Sequence, residues 1–478
     1  MQFIRPYLGT LFALGGGVLA GLGMVFPPLW FLPIVGILGY FAASRLSSSF
    51  RAALLHGLLF GIIASMGGVW WFWDTLPLTW ISVPEGSIQF LLVGIVYGLT
   101  VLALAFPFML GALLIRCVPS AWYRPLVLAL LYVLIEEVRM WSFALFFLGA
   151  ETSLAPHFSV AGLGYVLTEN ALLLPLAQLG HYGLHGFIAL LAATLLERKQ
   201  LPILLGSAVI VLSLVGTHLS LPSLPTGETM RIGLISTTVP PGPFALPGFI
   251  TQQMQEAEHS GAEVLAIPEG LGLAKFLDKE ARQQWYETVF EGRNGLVISS
   301  SVVPEENGTE RGELIYETVA DGIIASQDKI FFVPMGEYLP PLVEAVISVV
   351  GTENLGSYSS YLGNRLVPGS KLTSATYEGV HFGSLLCSEL LSPYLYPKLA
   401  AQNTDVLLNL ANNSWFHGSH LLHERLQQLA KTHALKNRQW FLVASNGSPS
   451  YAIDPRGRVV AESKWGANTP LLVEVPRP

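Results

Sequence analysis

A lone cysteine closes the apolar run SLLC and is followed at once by polar residues: Cys387, in SLLCSEL at residues 384–390. Two other reactive side chains occupy comparable places, Glu269 in AIPEG and Lys329 at the head of KIFFVPMGEYLP. A carboxylate, an ammonium and a thiol at the ends of strands supply the parts of acyl transfer. The carboxylate takes the thiol proton and later returns it, the thiolate attacks a carbonyl, and the ammonium stabilises both the thiolate and the tetrahedral oxyanion. The backbone N–H of Ser388, at the start of a predicted helix, adds a second oxyanion donor. Taken singly, each residue has a plainer reading: a small buried thiol, a loop carboxylate, a solvated edge lysine. It is the combination that points to a reaction.

Strands and helices must hold these groups. Between Arg231 and Val475, short β-branched runs alternate with polar helical stretches: RIGLIST, VLAIPEG, GLVISSSVV, ELIYETVAD, VHFGSLLC, DVLLNLAN, FLVASNG and LLVEV, with helices predicted near 251–259 and 420–438. Runs this apolar are buried on both faces. The pattern predicts an α/β domain whose sheets are covered by helices.

The preceding half is of another kind. The chain has 478 residues, 51% hydrophobic and only 12% charged, too apolar for an ordinary soluble protein. The long uncharged runs fall in residues 1–217, where seven segments approach the roughly 20 apolar residues that a bilayer requires: 8–26, 29–43, 52–73, 88–115, 126–148, 171–196 and 201–215. The second and seventh are short, to be extended by flanking residues or met by a thinner bilayer. The first lacks a cleavage pattern and is followed by further spans, so it reads as a span and not as a signal peptide. Arg5, Arg45, Arg51, Arg116, Arg124, Arg198 and Lys199 fall in alternate connections, and the other connections contain neither residue type. That bias marks the cytoplasmic side. Seven crossings leave everything after Thr217 outside, which in a Gram-negative inner membrane is the periplasm. The expected division is a membrane domain of about seven transmembrane helices at 1–217, a linker at 218–230 and a catalytic domain at 231–478. The prolines of the linker keep the catalytic domain close to the bilayer.

Glu, Lys and Cys in this order on such a domain resemble the nitrilase superfamily, whose fold is a four-layer αββα sandwich. Four stretches narrow the resemblance to its membrane-bound N-acyltransferase branch: EEVRMWSF, KIFFVPMGEYLP, LLCSEL and LANNSWFHGSHLLHERLQQLAKTHALKNRQWFLVASNGSPSYAIDPRG. The resemblance implies a multi-span helical membrane domain followed by a nitrilase-like sandwich. It implies an acyl chain moved from a phospholipid donor, through a thioester, to the N-terminal amine of a diacylglyceryl-cysteine lipoprotein, without cofactor or metal. Glu269 is then the general base, Lys329 the oxyanion stabiliser and Cys387 the nucleophile. Glu337 matches a further essential carboxylate, and Glu389 an acidic residue two positions past the nucleophile. Three features depart from the family pattern. Ser388 stands where an aromatic residue is usual, STTVPPGPFALPG lacks a Gln and Asn pattern, and the family's last spanning helix has no counterpart before Pro478. These bear on substrate handling more than on the triad. They leave open a membrane-tethered amidase-type hydrolase, with water as the attacking group, or an N-acyltransferase with another acceptor.

Other constellations are weighed against this reading. His417, His420 and His423 have helical spacing, but no Cys or HExxH pattern accompanies them, and no metal site is expected. Asn412, Asn413 and Trp415 are assigned to the pocket wall. The apolar segment 340–351 is the candidate lid or membrane-dipping loop, with an ordinary buried element as the alternative. Glu136 and Arg139 in the fifth segment, and His185 in the sixth, are costly at membrane depth and are expected to pair across helices. Cys117 lies in a predicted cytoplasmic loop and cannot pair with Cys387. A net charge of −7 and the lack of a basic stripe exclude nucleic acid as a partner.

Overall fold

Seven helices occupy the first half: α1 Arg5–Val25, α2 Leu32–Leu46, α3 Phe50–Gly68, α4 Ser87–Cys117, α5 Arg124–Phe146, α6 Gly180–Leu196 and α7 Leu201–Ser220. The computed structural model describes residues 5–78, 83, 85–149, 152–197, 201–220, 227–240, 247–271, 277–305, 309–350 and 365–478. Arg198, Lys199, residues 221–226 of the linker and 241–246 of the STTVPPGPFALPG segment therefore lie outside the described residues. Each expected span falls on a helix, but among the described residues only four stretches are long and apolar enough to cross a membrane: Tyr7–Val25, Phe50–Gly68, Ser87–Cys117 and Leu174–Leu196. Leu32–Leu46 and Leu205–Leu219 are shorter apolar helices. The remaining helix, α5, has the length but carries Arg124, Glu136, Glu137 and Arg139. The sixth segment also differs from expectation. It opens as 3-10 turns over Leu174–Leu179, and Gly180, at φ +67°, turns the chain into α6. Helices α1 and α2 pack through glycine, because a Cβ on Gly16 would stand 2.7 Å from the Gly36 carbonyl oxygen. Small residues permit such backbone approach.

The second half folds into two sheets. The first contains β1 Thr229–Leu234, β2 Val264–Ala266, β3 Leu296–Pro304, β4 Thr309–Thr318, β5 Gly322–Asp328 and the last strand, β13 Leu471–Pro476, in the order β13-β1-β2-β3-β4-β5, with β6 Arg365–Leu366 on β4. The second contains β7 Ser374–Tyr377, β8 Val380–Leu386, β9 Val406–Asn412, β10 Trp440–Asn446, β11 Tyr451–Ile453 and β12 Val459–Glu462, in the order β12-β11-β10-β9-β8-β7. The central strands β1, β2 and β3 run parallel, as do β8, β9 and β10. Ile232, Leu234, Val264 and Ile298 of one sheet meet Phe382, Leu408 and Leu442 of the other in a fully buried layer. Helices α8 Pro247–His259 and α9 Lys279–Val289 cover the outer face of the first sheet. Helices α11 Leu395–Ala400 and α12 His420–Asn437 cover the second. The result is the αββα sandwich expected from the sequence, with strands apolar on both sides because both sides are packed.

The halves share a seam. Helix α12 turns Ala430 and Ala434 to the sheet, while Leu422, Leu429 and Leu435 join the core of the helical half. Polar contacts cross the same seam: the Tyr394 hydroxyl donates to Glu137 at 2.6 Å, and the Tyr338 hydroxyl donates to the Phe147 carbonyl at 2.6 Å. The segment expected as a lid forms α10, Pro341–Val350, with Val343 buried in the helical core and Leu342 exposed.

The ionisable cluster at depth is closed differently from expectation. Glu136 accepts from Arg139 at 2.5 Å and from the Tyr132 hydroxyl at 2.7 Å. Arg139 also donates to the carbonyls of Leu104 at 3.2 Å and Ala161 at 3.3 Å. The Nδ1 of His185 accepts instead from the Gly164 N–H, at 3.0 Å. Backbone carbonyls lie within the reach of the guanidinium and satisfy its fork, so the cluster bridges α5 to α4 without the imidazole.

Candidate active site

Three strand ends converge. Glu269 lies just beyond β2, Lys329 directly after β5 and Cys387 directly after β8. The Lys329 backbone is pinned on both sides: its N–H donates to the Gly312 carbonyl at 2.7 Å, and its carbonyl accepts from the Gly369 N–H at 2.8 Å. Its ammonium stands 2.8 Å from Glu269 Oε1 and 2.8 Å from Glu337 Oε1. Glu337 is fixed in turn, as its Oε2 accepts from the Val333 N–H at 2.7 Å.

Cys387 has φ +40°, a left-handed conformation that costs a residue with a side chain roughly 1 to 3 kcal/mol. The surroundings hold it there. Glu389 accepts from the N–H groups of Leu386 at 2.8 Å and Ile330 at 2.7 Å, tying the Cys387 turn to the strand end that carries Lys329. The Asn409 amide donates to the Cys387 carbonyl at 3.3 Å, and the Ser388 hydroxyl donates to the Phe331 carbonyl at 2.9 Å. The helix expected after the cysteine is a five-residue 3-10 turn, Cys387–Leu391. The N–H of Ser388 thus belongs to a turn and gains little from a helix dipole.

The charges are arranged around one buried cation. Burial alone would lower the Lys329 ammonium, but the carboxylates of Glu269 and Glu337 outweigh it and hold the group well above the ordinary lysine value. Burial, reinforced by Glu269, pushes the Cys387 thiol up to about 12, with Lys329 opposing. Burial also raises Glu337 above the usual carboxylate value, against the pull of Lys329. Glu389 is raised by burial to about 7, although its two backbone donors favour the carboxylate. The resting thiol is neutral, so attack requires a base.

Asn412 and Trp415 line the same space. The Asn412 side-chain carbonyl accepts from the Ser414 hydroxyl at 2.7 Å and from the Asn446 amide at 2.9 Å, while its backbone carbonyl lies 3.7 Å from Cys387 Sγ. The three histidines with helical spacing meet other groups: His417 the Pro77 carbonyl, His420 the Trp465 ring, and His423 Glu462 and the edge of the same Trp465 ring.

A cavity of about 390 Å³ opens over these groups, within the range of small-molecule sites. The sandwich supplies Glu269, Lys329, Glu337, Cys387 and Ser388. The helical half supplies Trp71, Phe72, Leu92, Val96, Phe143 and Phe158, an almost wholly apolar wall. His157 lines the cavity too and was not signalled by the sequence, since nothing in TSLAPHFS marks it. Its ring lies flat on Phe331, with centroids 4.5 Å apart and planes 9° apart, and its Nδ1 is 2.9 Å from the Ala155 carbonyl. A carbonyl only accepts, so the proton sits on Nδ1.

Comparison with known proteins bears on this site. Residues 293–478 match the carbon–nitrogen hydrolase family model, a span that contains Lys329 and Cys387 and begins after Glu269. The chain is 26% identical to the apolipoprotein N-acyltransferase of Pseudomonas putida, covering 96% of this chain and 89% of that one. It is 26% identical to the apolipoprotein N-acyltransferase of Pseudomonas syringae pv. tomato, with the same coverage of 96% and 89%. Among solved structures, a mutant amidase of the nitrilase superfamily from Nesterenkonia AN1 matches 53% of this chain and 94% of its own, at 17% identity and a TM-score of 0.40.

Proposed function

Starting from a membrane protein related to the apolipoprotein N-acyltransferases and bearing a carbon–nitrogen hydrolase domain, we propose that it moves a fatty acyl chain from a phospholipid to the N-terminal amine of a diacylglyceryl-cysteine lipoprotein. The observation that carries this reading is the shared cavity. Reactive groups of the sandwich open directly onto an apolar wall made by the membrane half. A site in water would have to extract the chain at about 0.8 kcal/mol per methylene, and a site built against the bilayer avoids most of that cost.

In the first half-reaction, Glu269 takes the Cys387 proton as sulfur attacks the donor ester. The S–C bond forms, the ester C–O bond breaks, and Glu269 passes the proton to the departing alkoxide, leaving a lysophospholipid. Lys329 faces the negative charge that develops on the carbonyl oxygen. In the second, the acceptor amine attacks the thioester, the C–S bond breaks, and the proton lost by the amine returns through Glu269 to sulfur. Glu337 keeps Lys329 charged and in place. Glu389 and Ser388 position the nucleophile turn, and Asn412 and Trp415 shape the wall.

The proposed division is 1–217 in the membrane, 218–230 as linker and 231–478 as catalytic domain, with the inner membrane as location and the catalytic side facing the periplasm. Arg45, Arg51, Arg116 and Arg124, all at one end of the helical half by sequence, support that orientation. The test is incubation of the full chain with labelled phospholipid, with and without a diacylglyceryl peptide. Label on the peptide is the expected result. Free fatty acid alone would assign a hydrolase, and no labelled product would remove the enzymatic reading.

A further inference from the structure

The cavity runs down one helix and then stops. Leu92, Val93, Val96 and Thr100 line it from α4 at spacings that place them on one helical face. From Leu92 to Thr100 is about 12 Å of helix, against about 15 Å for the hydrocarbon of one leaflet. One turn further along α4 is Leu104, whose carbonyl is taken by Arg139. On α5 the sequence mirrors this: Phe143 lines the cavity, and Arg139 lies one turn deeper.

Between the two levels sits a ring pair. Phe143 and Phe158 stack with centroids 3.8 Å apart and planes 11° apart. Phe158 faces both ways, lining the cavity above and a small space below that it shares with Glu136 and Arg139. Beneath the rings the space is only a remnant, lined by Leu104, Met140 and Ala161 beside the Glu136–Arg139 ion pair, whose guanidinium is held by the Leu104 and Ala161 carbonyls; a chain end could go deeper only by displacing those charge-assisted hydrogen bonds. Thr100 stands at the same level, fully buried, and its hydroxyl has no hydrogen-bond partner among the described residues.

We infer that the Phe143–Phe158 pair, with Thr100 opposite and the Glu136–Arg139 pair behind, is the floor of an acyl slot and sets the longest chain the protein accepts from its donor. This rests on the acyl-transfer reading above. It also gives the buried ion pair a use: a rigid polar stop beneath an apolar shaft. A chain that outruns the floor must leave methylenes unburied, at about fourfold in rate for each one.

The experiment gives the full-length protein vesicles of saturated diacyl phospholipids with one headgroup and graded chain lengths, and reads the fatty-acyl adducts on Cys387 by mass spectrometry. Adduct ratios within one preparation do not depend on how much of it is folded. Thr100→Phe should move the cut-off to shorter chains by about two methylenes, a roughly sixteenfold change in the ratio of long to short adducts. Phe158→Ala should move it to longer chains. Leu102→Phe, an exposed position on the same helix, should leave the ratios unchanged. Identical chain-length profiles in the native protein, Thr100→Phe and Phe158→Ala would overturn the inference while leaving acyl transfer intact. No adduct of any length on the native protein would overturn the acyl-transfer reading, and the inference with it.

Discussion

The ammonium of Lys329 is held 2.8 Å from Glu269 and the same 2.8 Å from Glu337, so one cation separates two carboxylates. Under the proposed mechanism, removing it does two things at once: the developing oxyanion loses its counter-charge, and the carboxylates are left to repel each other. Lys329→Ala should lower acylation of Cys387 by roughly 10² to 10³, in the range found for the loss of an oxyanion donor. The second effect makes the losses non-additive. Adding Glu337→Gln to Lys329→Ala should cost far less than Glu337→Gln does alone, because the partner it held is already gone. Additive losses in single-turnover measurements would exclude this coupling.

Cys387→Ser should end turnover while sparing the fold. A hydroxyl keeps the contact with the Asn412 carbonyl, yet it is a far weaker nucleophile than a thiol at any accessible pH. Thermal unfolding should be nearly unchanged, and no acyl adduct should form with phospholipid alone. A persistent adduct at another residue would move the nucleophile elsewhere.

Glu389→Ala tests a brace and not a reacting group. Two N–H donors, buried on Leu386 and partly buried on Ile330, would lose their acceptor. Each such loss costs about 1 to 3 kcal/mol. A clearly lower Tm is expected, together with slow acylation, because Cys387 would no longer be held at its unusual φ. An unchanged Tm with lost activity would instead mark Glu389 as part of the chemistry.

The two half-reactions should answer pH differently. With the thiol pushed up to about 12, free thiolate is scarce between pH 7 and 9, and a thiolate route would climb about tenfold per pH unit throughout that window. Proton removal by Glu269 predicts a flat rate there for thioester formation. Transfer to the amine should rise toward the acceptor's pKa, roughly 8 for an α-amino group. Linkage fixes the sign for stability as well: the Cys387 pKa is raised in the folded state, so its contribution is complete below about 8.5 and is lost as pH rises through about 12. Single-turnover rates measured separately for each step decide the matter.

The sequence revealed most where physics is local. Runs such as VLLNLAN are apolar on both faces, and both faces of β9 are buried, which is why the sandwich was legible. Glu269 and Cys387 stand at the ends of runs that the sequence marks as strands, VLAIPEG and VHFGSLLC, whereas Lys329, read as the head of KIFFVPMGEYLP, follows β5, a half-exposed strand that the pattern of apolar runs did not single out. What failed to show was long-range. Glu389 was matched by resemblance, but its task depends on Ile330, 59 residues away. His157 and Thr100 matter only because α4, α5 and the loop after α5 meet the sandwich, and no spacing in one segment reports that meeting. The expected pairing of Arg139 with His185 missed because side-chain patterns are silent about carbonyls, and carbonyls took the guanidinium.

Helix α12 belongs to two cores, with Ala430 and Ala434 against the sheet and Leu422, Leu429 and Leu435 against the helical half. The stability of each half therefore depends on the other through one shared helix. Cut free after the linker, the catalytic part would present that leucine stripe and the buried Arg425 to water, and would aggregate instead of working as a soluble enzyme. Mechanically, the sandwich cannot swing away from the bilayer to collect a substrate without peeling off one of its own layers. Under the proposed function, substrates must therefore come to a stationary site.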